Sequence, residues 1–131
     1  MILLVENDPL LGETVYQLLE MHGYAVSVAT DGKEAMAQMT WQTPELIISD
    51  WHMPNMNGMD LCRLLRHSVE FASVPIIMMS GMEPRRDITP PFDLFLLKPF
   101  RLANLLDAVR ELTHTDPQLQ RPGGGDESER V

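Results

Sequence analysis

A chain of 131 residues, 44% hydrophobic and 22% charged, can bury one full core but not two. Its formal net charge of −9 argues against a nucleic-acid surface, which needs a basic face to displace counterions, and against contact with an anionic membrane. A single cysteine, Cys62, rules out a disulfide framework within the chain and reads as a small buried apolar residue.

Ile2 to Val5 is a continuous apolar run, as expected of a strand covered on both faces. It gives way at once to Glu6-Asn7-Asp8-Pro9, too soon for a secretory signal or a membrane segment, so a cytoplasmic protein is expected. Asp8 reads as an N-cap with Pro9 at the first helical position. The helix that follows places Leu11, Val15, Leu18, Leu19 and His22 on one stripe and ends at Gly23. Tyr24 to Ala29 reads as the second strand, and Asp31-Gly32 as a turn. A short helix with Ala35, Met36 and Met39 inward stops before Pro44.

Leu46-Ile47-Ile48 is the third strand, ending at Ser49-Asp50, and a loop runs to Gly58. The next helix turns Leu61, Cys62 and Leu65 inward. Val74 to Met79 reads as the fourth strand, ending at Ser80-Gly81, and Leu94 to Leu97 as the fifth, ending at Lys98-Pro99. A last helix carries Leu102, Leu105, Leu106, Val109 and Leu112 at spacings of three and four. His22 and His67 are given no chemistry, and Met53, Met56, Met59, Met78, Met79 and Met82 are read as packing residues.

A folded unit over 1–114 is therefore expected, followed by a disordered tail or linker over 115–131. That tail holds two prolines, Gly123-Gly124-Gly125 and a mixed-charge end. Four acids against two arginines give it −2, leaving −7 for the folded part.

Strands alternating with helices imply an α/β fold, a parallel sheet with helices on both faces. Ligands in such sheets bind beyond the carboxyl ends of the strands, where the strand order reverses. That rule selects Glu6, Asn7 and Asp8 after the first strand, Asp50 at the third, Ser80 at the fourth and Lys98 at the fifth. Carboxylates from two strand ends make a hard oxygen site suited to magnesium. A hydroxyl and an ammonium beside Asp50 suit a phosphoryl group on its carboxylate, because phosphoryl transfer depends on positioning and charge neutralisation.

The run Ile48-Ser49-Asp50-Trp51-His52-Met53-Pro54-Asn55-Met56-Asn57-Gly58 closely resembles the phospho-acceptor loop of response-regulator receiver domains, the chemotaxis response regulator in particular. Leu3-Leu4-Val5-Glu6, Ser80 and Lys98-Pro99-Phe100 match other parts of the pattern, in order, over about residues 2 to 113. The resemblance implies a flavodoxin-like, doubly wound sheet of five parallel strands in the order 2-1-3-4-5. It implies that Asp50 is the phosphoacceptor and that Glu6, Asn7, Asp50 and the backbone carbonyl of His52 hold Mg2+. Ser80 becomes the hydroxyl that moves towards the phosphoryl group, Lys98 the phosphate-sensing lysine, and Phe95 the aromatic switch. The Lys98-Pro99 bond is expected to be cis.

The chain departs from the family pattern in three places, and a fourth position, Met82, bears on the lifetime of the phosphoryl group. Asn7 stands where a second acid is usual, which weakens the expected hold on magnesium. Asp8 could compensate, but its position suits the helix cap better. The stretch between Ser80 and Lys98 is short and holds Pro84, Pro90 and Pro91, so the fourth helix is expected to be shortened or absent; Pro84 to Ile88 could form a stub. Phe95 lacks the hydroxyl of a tyrosine and can only repack. Met82, two residues after Ser80, is expected to hinder the attacking water, so that Met82→Ala speeds phosphate loss.

Two functions follow from this reading. One is a phosphorylation switch fed by a histidine kinase or phosphotransfer protein and acting on a downstream partner or output domain. The other is a degenerate receiver working as a phosphorylation-independent interaction module. A metabolic enzyme is not expected: aspartyl-phosphate phosphatases and mutases need an aspartate where His52 stands, and Glu6-Asn7-Asp8 would repel the phosphate of a flavodoxin-like cofactor.

Overall fold

The computed structural model describes residues 1–86 and 89–113. Five strands, β1 (Ile2–Val5), β2 (Val26–Ala29), β3 (Leu46–Asp50), β4 (Ile76–Ser80) and β5 (Leu94–Leu97), form one parallel sheet in the order β2-β1-β3-β4-β5. Four helices accompany them: α1 (Pro9–Met21), α2 (Gly32–Met39), α3 (Gly58–Arg66) and α4 (Leu102–Thr113).

The apolar strand runs are explained by burial on both faces. Leu3, Val5, Ile47 and Met78 pack with Ala35, Met39, Leu61 and Leu65 of α2 and α3. The alternate residues Ile2, Leu4, Ile48, Ile77 and Met79 pack with Val15, Leu19, Leu105 and Val109 of α1 and α4. The period-two alternation of a strand thus divides each run between two cores. Ile48 is fully buried between such layers, so Ile48→Ala costs about 2–5 kcal/mol.

Caps start and stop the helices. Asp8 Oδ1 accepts the Leu10 N–H at 3.0 Å with Pro9 opening α1, and Asn57 accepts the Asp60 N–H at 2.8 Å to open α3. Past the C-cap of α1, Gly23 takes φ 90°, a left-handed conformation that glycine adopts without a Cβ clash.

The structure corrects several sequence expectations. β2 starts at Val26 rather than Tyr24, because the Tyr24 N–H still bonds Leu19 O at the end of α1. β4 starts at Ile76 rather than Val74, whose N–H closes a turn onto Phe71 O. Asp31-Gly32 is a helix start rather than a free turn: Asp31 caps α2 by accepting the Glu34 N–H at 2.8 Å. His22 is the C-cap of α1, not a member of its apolar stripe. Leu102 and Met82 are exposed rather than packed.

Among the described residues no helix lies between β4 and β5. Asp87 and Ile88, the end of the expected stub, lie outside the described residues, as does the tail expected over 115–131. The connection to β5 is instead held from α3. Arg66 donates from Nε to Pro91 O at 2.8 Å and from Nη1 to Val74 O at 2.7 Å and Ala72 O at 3.1 Å, and its Nη2 pairs with Asp93 Oδ2 at 2.8 Å. No helix among the described residues is long and apolar enough to cross a membrane.

Candidate functional site

The buried polar and charged residues in the described part of the molecule are Glu6, Ser49, Asp50 and Ser80. Burying a carboxylate is costly unless it is paired, so their location matters. Asp50 ends β3, Ser80 ends β4, and Glu6 directly follows β1, all at the carboxyl edge of the sheet. Parallel pairing brings them there: Val5 is in register with Ser49, and Asp50 with Met79.

Lys98 completes the group from the end of β5. Its Nζ lies 3.1 Å from Glu6 Oε1 and 3.1 Å from Asp50 Oδ1, one ammonium bridging two buried carboxylates. Its backbone N–H donates to Ser80 O at 2.7 Å, fixing where the side chain departs, and the Lys98-Pro99 bond is cis. Glu6 Oε2 accepts the Asp8 N–H at 3.0 Å. Burial pushes the Glu6 carboxyl above its ordinary range, against the lowering effect of the Asp8 N–H and Lys98, and the Asp50 charge adds to the rise. For Lys98, burial alone would lower the pKa, but hydrogen bonds and charge from Glu6 and Asp50 outweigh it and hold the ammonium above its ordinary 10.5.

Asn7, His52, Ser80 and Phe95 complete the predicted set. Asn7 is exposed between Glu6 and the cap residue Asp8. His52 is exposed, its ring stacked near Trp51 with centroids 6.5 Å apart. Ser80 Oγ accepts the Met82 N–H at 3.1 Å. Phe95 is half-buried and meets Trp51 edge-on at 6.4 Å.

Three supports were not singled out from the sequence. Ser49 Oγ donates to Asp50 O at 2.9 Å. Asn55, at φ 71°, donates to Asp31 Oδ2 at 3.1 Å and so ties the loop after β3 to the start of α2. Gly58 donates its N–H to Trp51 O at 2.7 Å, and a Cβ there would collide with Asp50 O and with Met78 Sδ at 2.8 Å. The Gly at the end of the loop was a visible signal for that close approach; the others depend on contacts between distant segments.

A family model for the response regulator receiver domain matches residues 2–110. This chain is a response regulator receiver domain.

This receiver is 34% identical over 125 residues to the response regulator RppA of Synechocystis, covering 91% of this chain and 53% of that protein. It is 33% identical over 115 residues to the DNA-binding dual master transcriptional regulator RpaA of Synechocystis, covering 85% and 48%. It therefore spans about half the length of these curated relatives. Among solved structures, the receiver domain of a signal transduction histidine kinase from Syntrophus aciditrophicus superposes with TM-score 0.79 at 31% identity, over 92% of each chain. The receiver domain of a sensor histidine kinase from Pseudomonas aeruginosa has TM-score 0.78 at 26% identity, over 87% of this chain and 97% of that one. That structure has a magnesium ion coordinated in its active-site cleft.

An ion of that kind takes oxygen donors. Glu6, Asp50, the Asn7 amide and the His52 carbonyl offer only oxygen, the donor that a hard cation takes. The donor set carries two carboxylates, and among the described residues no cluster of three acid, histidine or cysteine side chains forms.

Proposed function

We propose that this receiver domain accepts a phosphoryl group on Asp50 from a phosphohistidine of a histidine kinase or phosphotransfer protein, and that the product shifts its conformation to control a partner or output domain. The observation that carries this reading is the Lys98 ammonium bridging the buried carboxylates of Glu6 and Asp50 at 3.1 Å.

In the transfer, an Asp50 carboxylate oxygen forms the new bond to phosphorus. The phosphorus–nitrogen bond of the donor breaks, and its electron pair stays on the donor imidazole. Lys98 already neutralises Asp50 and can follow a phosphoryl oxygen without leaving the site. Ser80 presents its hydroxyl from the adjacent strand end, where exchanging the Met82 N–H for a phosphoryl oxygen would pull on the segment after β4. Such couplings are typically about 1–3 kcal/mol, enough to bias two populations. Magnesium, held by Glu6, Asp50, Asn7 and the His52 carbonyl, would supply charge neutralisation at the phosphoryl oxygens.

Asn7 and the lack of a helix between β4 and β5 among the described residues favour a second reading, a degenerate receiver that acts through protein contacts alone. Incubating the full chain with magnesium and acetyl phosphate separates the two. The first reading expects the mass gain of one phosphoryl group, lost in Asp50→Asn; an unmodified wild type supports the second.

A further inference from the structure

The loop after β3 is held at its base and at its tip. At the base Gly58 donates its N–H to Trp51 O at 2.7 Å, and Trp51 donates its own to Met79 O at 2.8 Å. At the tip the Met56 N–H donates to Pro54 O at 2.8 Å, a tight turn around Asn55. Asn55 takes φ 71°, and among the described residues no other non-glycine residue has a positive φ. Asparagine tolerates that conformation better than most residues, but it persists only where the surroundings hold it.

The holding contacts come from the start of α2. Asp31 uses Oδ1 to accept the Glu34 N–H at 2.8 Å and Oδ2 to accept from Asn55 Nδ2 at 3.1 Å. Beside it Met56 packs so closely on Gly32 that a Cβ there would sit 2.9 Å from Met56 Sδ and 3.1 Å from Met56 Cβ. A helix cap needs one oxygen, and serine or asparagine supplies it as well as aspartate. The second oxygen of Asp31 serves the loop instead. Asn55 lies three residues beyond His52, and Pro54 between them fixes its own φ, so a shift at the tip is passed back along the chain.

We propose that Asp31 and Asn55 are positioning residues for the phosphorylation site: their hydrogen bond sets the place of the His52 carbonyl for a magnesium ion. The inference rests on the reading above, in which Asp50 is the phosphoacceptor and that carbonyl a magnesium ligand. Groups that orient a metal ligand are typically worth about 10–100-fold in affinity; this contact is exposed and acts through the backbone, so about three- to tenfold is expected.

The test titrates magnesium alone into the full chain, read by Trp51 fluorescence in a Trp41→Phe background, with urea unfolding in chelator alongside. Asn55→Gly keeps the positive φ but removes the donor, and should weaken magnesium about three- to tenfold. Asn55→Asp sets two carboxylates against each other. Asp31→Asn/Asn55→Asp exchanges donor and acceptor, keeps the cap and restores the bond at the wild-type net charge. The exchanged pair should bind magnesium within about twofold of wild type and at least about threefold tighter than Asn55→Asp. Charge alone gives the opposite order, since Asn55→Asp carries one more negative charge than the exchanged pair. Variants that lower the urea midpoint but leave magnesium affinity unchanged, or an exchanged pair that binds no tighter than Asn55→Asp, would overturn the proposal and leave the phosphoacceptor reading standing. A wild type that binds no magnesium would overturn both.

Discussion

Lys98 Nζ and Asp50 Oδ1 lie 3.1 Å apart, although 48 residues separate them in the chain. The same ammonium reaches Glu6 Oε1 at 3.1 Å, so one cation compensates two carboxylates drawn together from the ends of β1 and β3. Lys98→Met leaves both acids without it. In metal-free buffer the variant should lose about 1–3 kcal/mol, the usual cost of leaving a buried charged group without its hydrogen bond. Urea unfolding should show a lower midpoint with an unchanged slope. An unaltered midpoint would mean that the bridge contributes nothing in solution.

Asn7 limits the charge offered to a metal. A unit charge 4 Å from a cation is worth about 4 kcal/mol at an effective dielectric of 20, an upper bound because the new carboxylate also loses hydration. Asn7→Asp is therefore expected to tighten magnesium binding by about tenfold or more, a 1.4 kcal/mol gain. The same change should lower stability in chelator, since it adds a third acid near Glu6 and Asp50. Magnesium titration of Trp51 fluorescence in a Trp41→Phe background reads the first effect, and urea unfolding reads the second.

Arg66 holds the connection between β4 and β5, where no helix lies among the described residues. Its guanidinium satisfies carbonyls of Ala72, Val74 and Pro91 and pairs with Asp93, whose Oδ2 also accepts the Ile76 N–H at 2.8 Å. Arg66→Ala should cost about 2–4 kcal/mol, because several polar groups lose their partner together. Hydrogen exchange should speed up first at the Ile76 and Asp93 amides. Loss spread evenly over the sheet would argue against a local anchor.

Asp31 gives the fold an acid-sensitive joint. Its carboxyl is held below its ordinary 3.8, chiefly by the Glu34 N–H and then by Asn55. A carboxyl with a depressed folded pKa adds stability above its unfolded value and loses it as pH falls through the folded one. Asp31→Ala should therefore unfold earlier than wild type at neutral pH, and the gap should close well below pH 3.8. A gap independent of pH would show that the cap works without its charge.

Much of the sheet was legible in the sequence because burial on both faces leaves continuous apolar runs such as Leu46-Ile47-Ile48, and because Asp8-Pro9 marks a helix start with little ambiguity. Boundaries slipped where local and distant bonds compete: Tyr24 looks like a strand residue, yet its N–H belongs to the end of α1. Asp31-Gly32 was read as a turn because a cap and a turn use the same residues. The strand-end rule directed attention to Asp50, Ser80 and Lys98, while the roles given to them came from the resemblance to receiver domains. The Arg66 anchor and the Asn55–Asp31 link were not, since they join segments 24 or more residues apart at most of their contacts and carry no local pattern. Cys62 was read as buried and apolar; it is buried, and desolvation pushes its thiol up to about 11.

Asp50, and no other acid, is expected to take the phosphoryl group. Treating the full chain with acetyl phosphate and magnesium, then reducing with borohydride, converts an aspartyl phosphate to homoserine, which peptide mass mapping can locate. Homoserine is expected at position 50 only, and none when magnesium is chelated. Conversion at Glu6 or Asp8, or no conversion anywhere, would contradict the assignment.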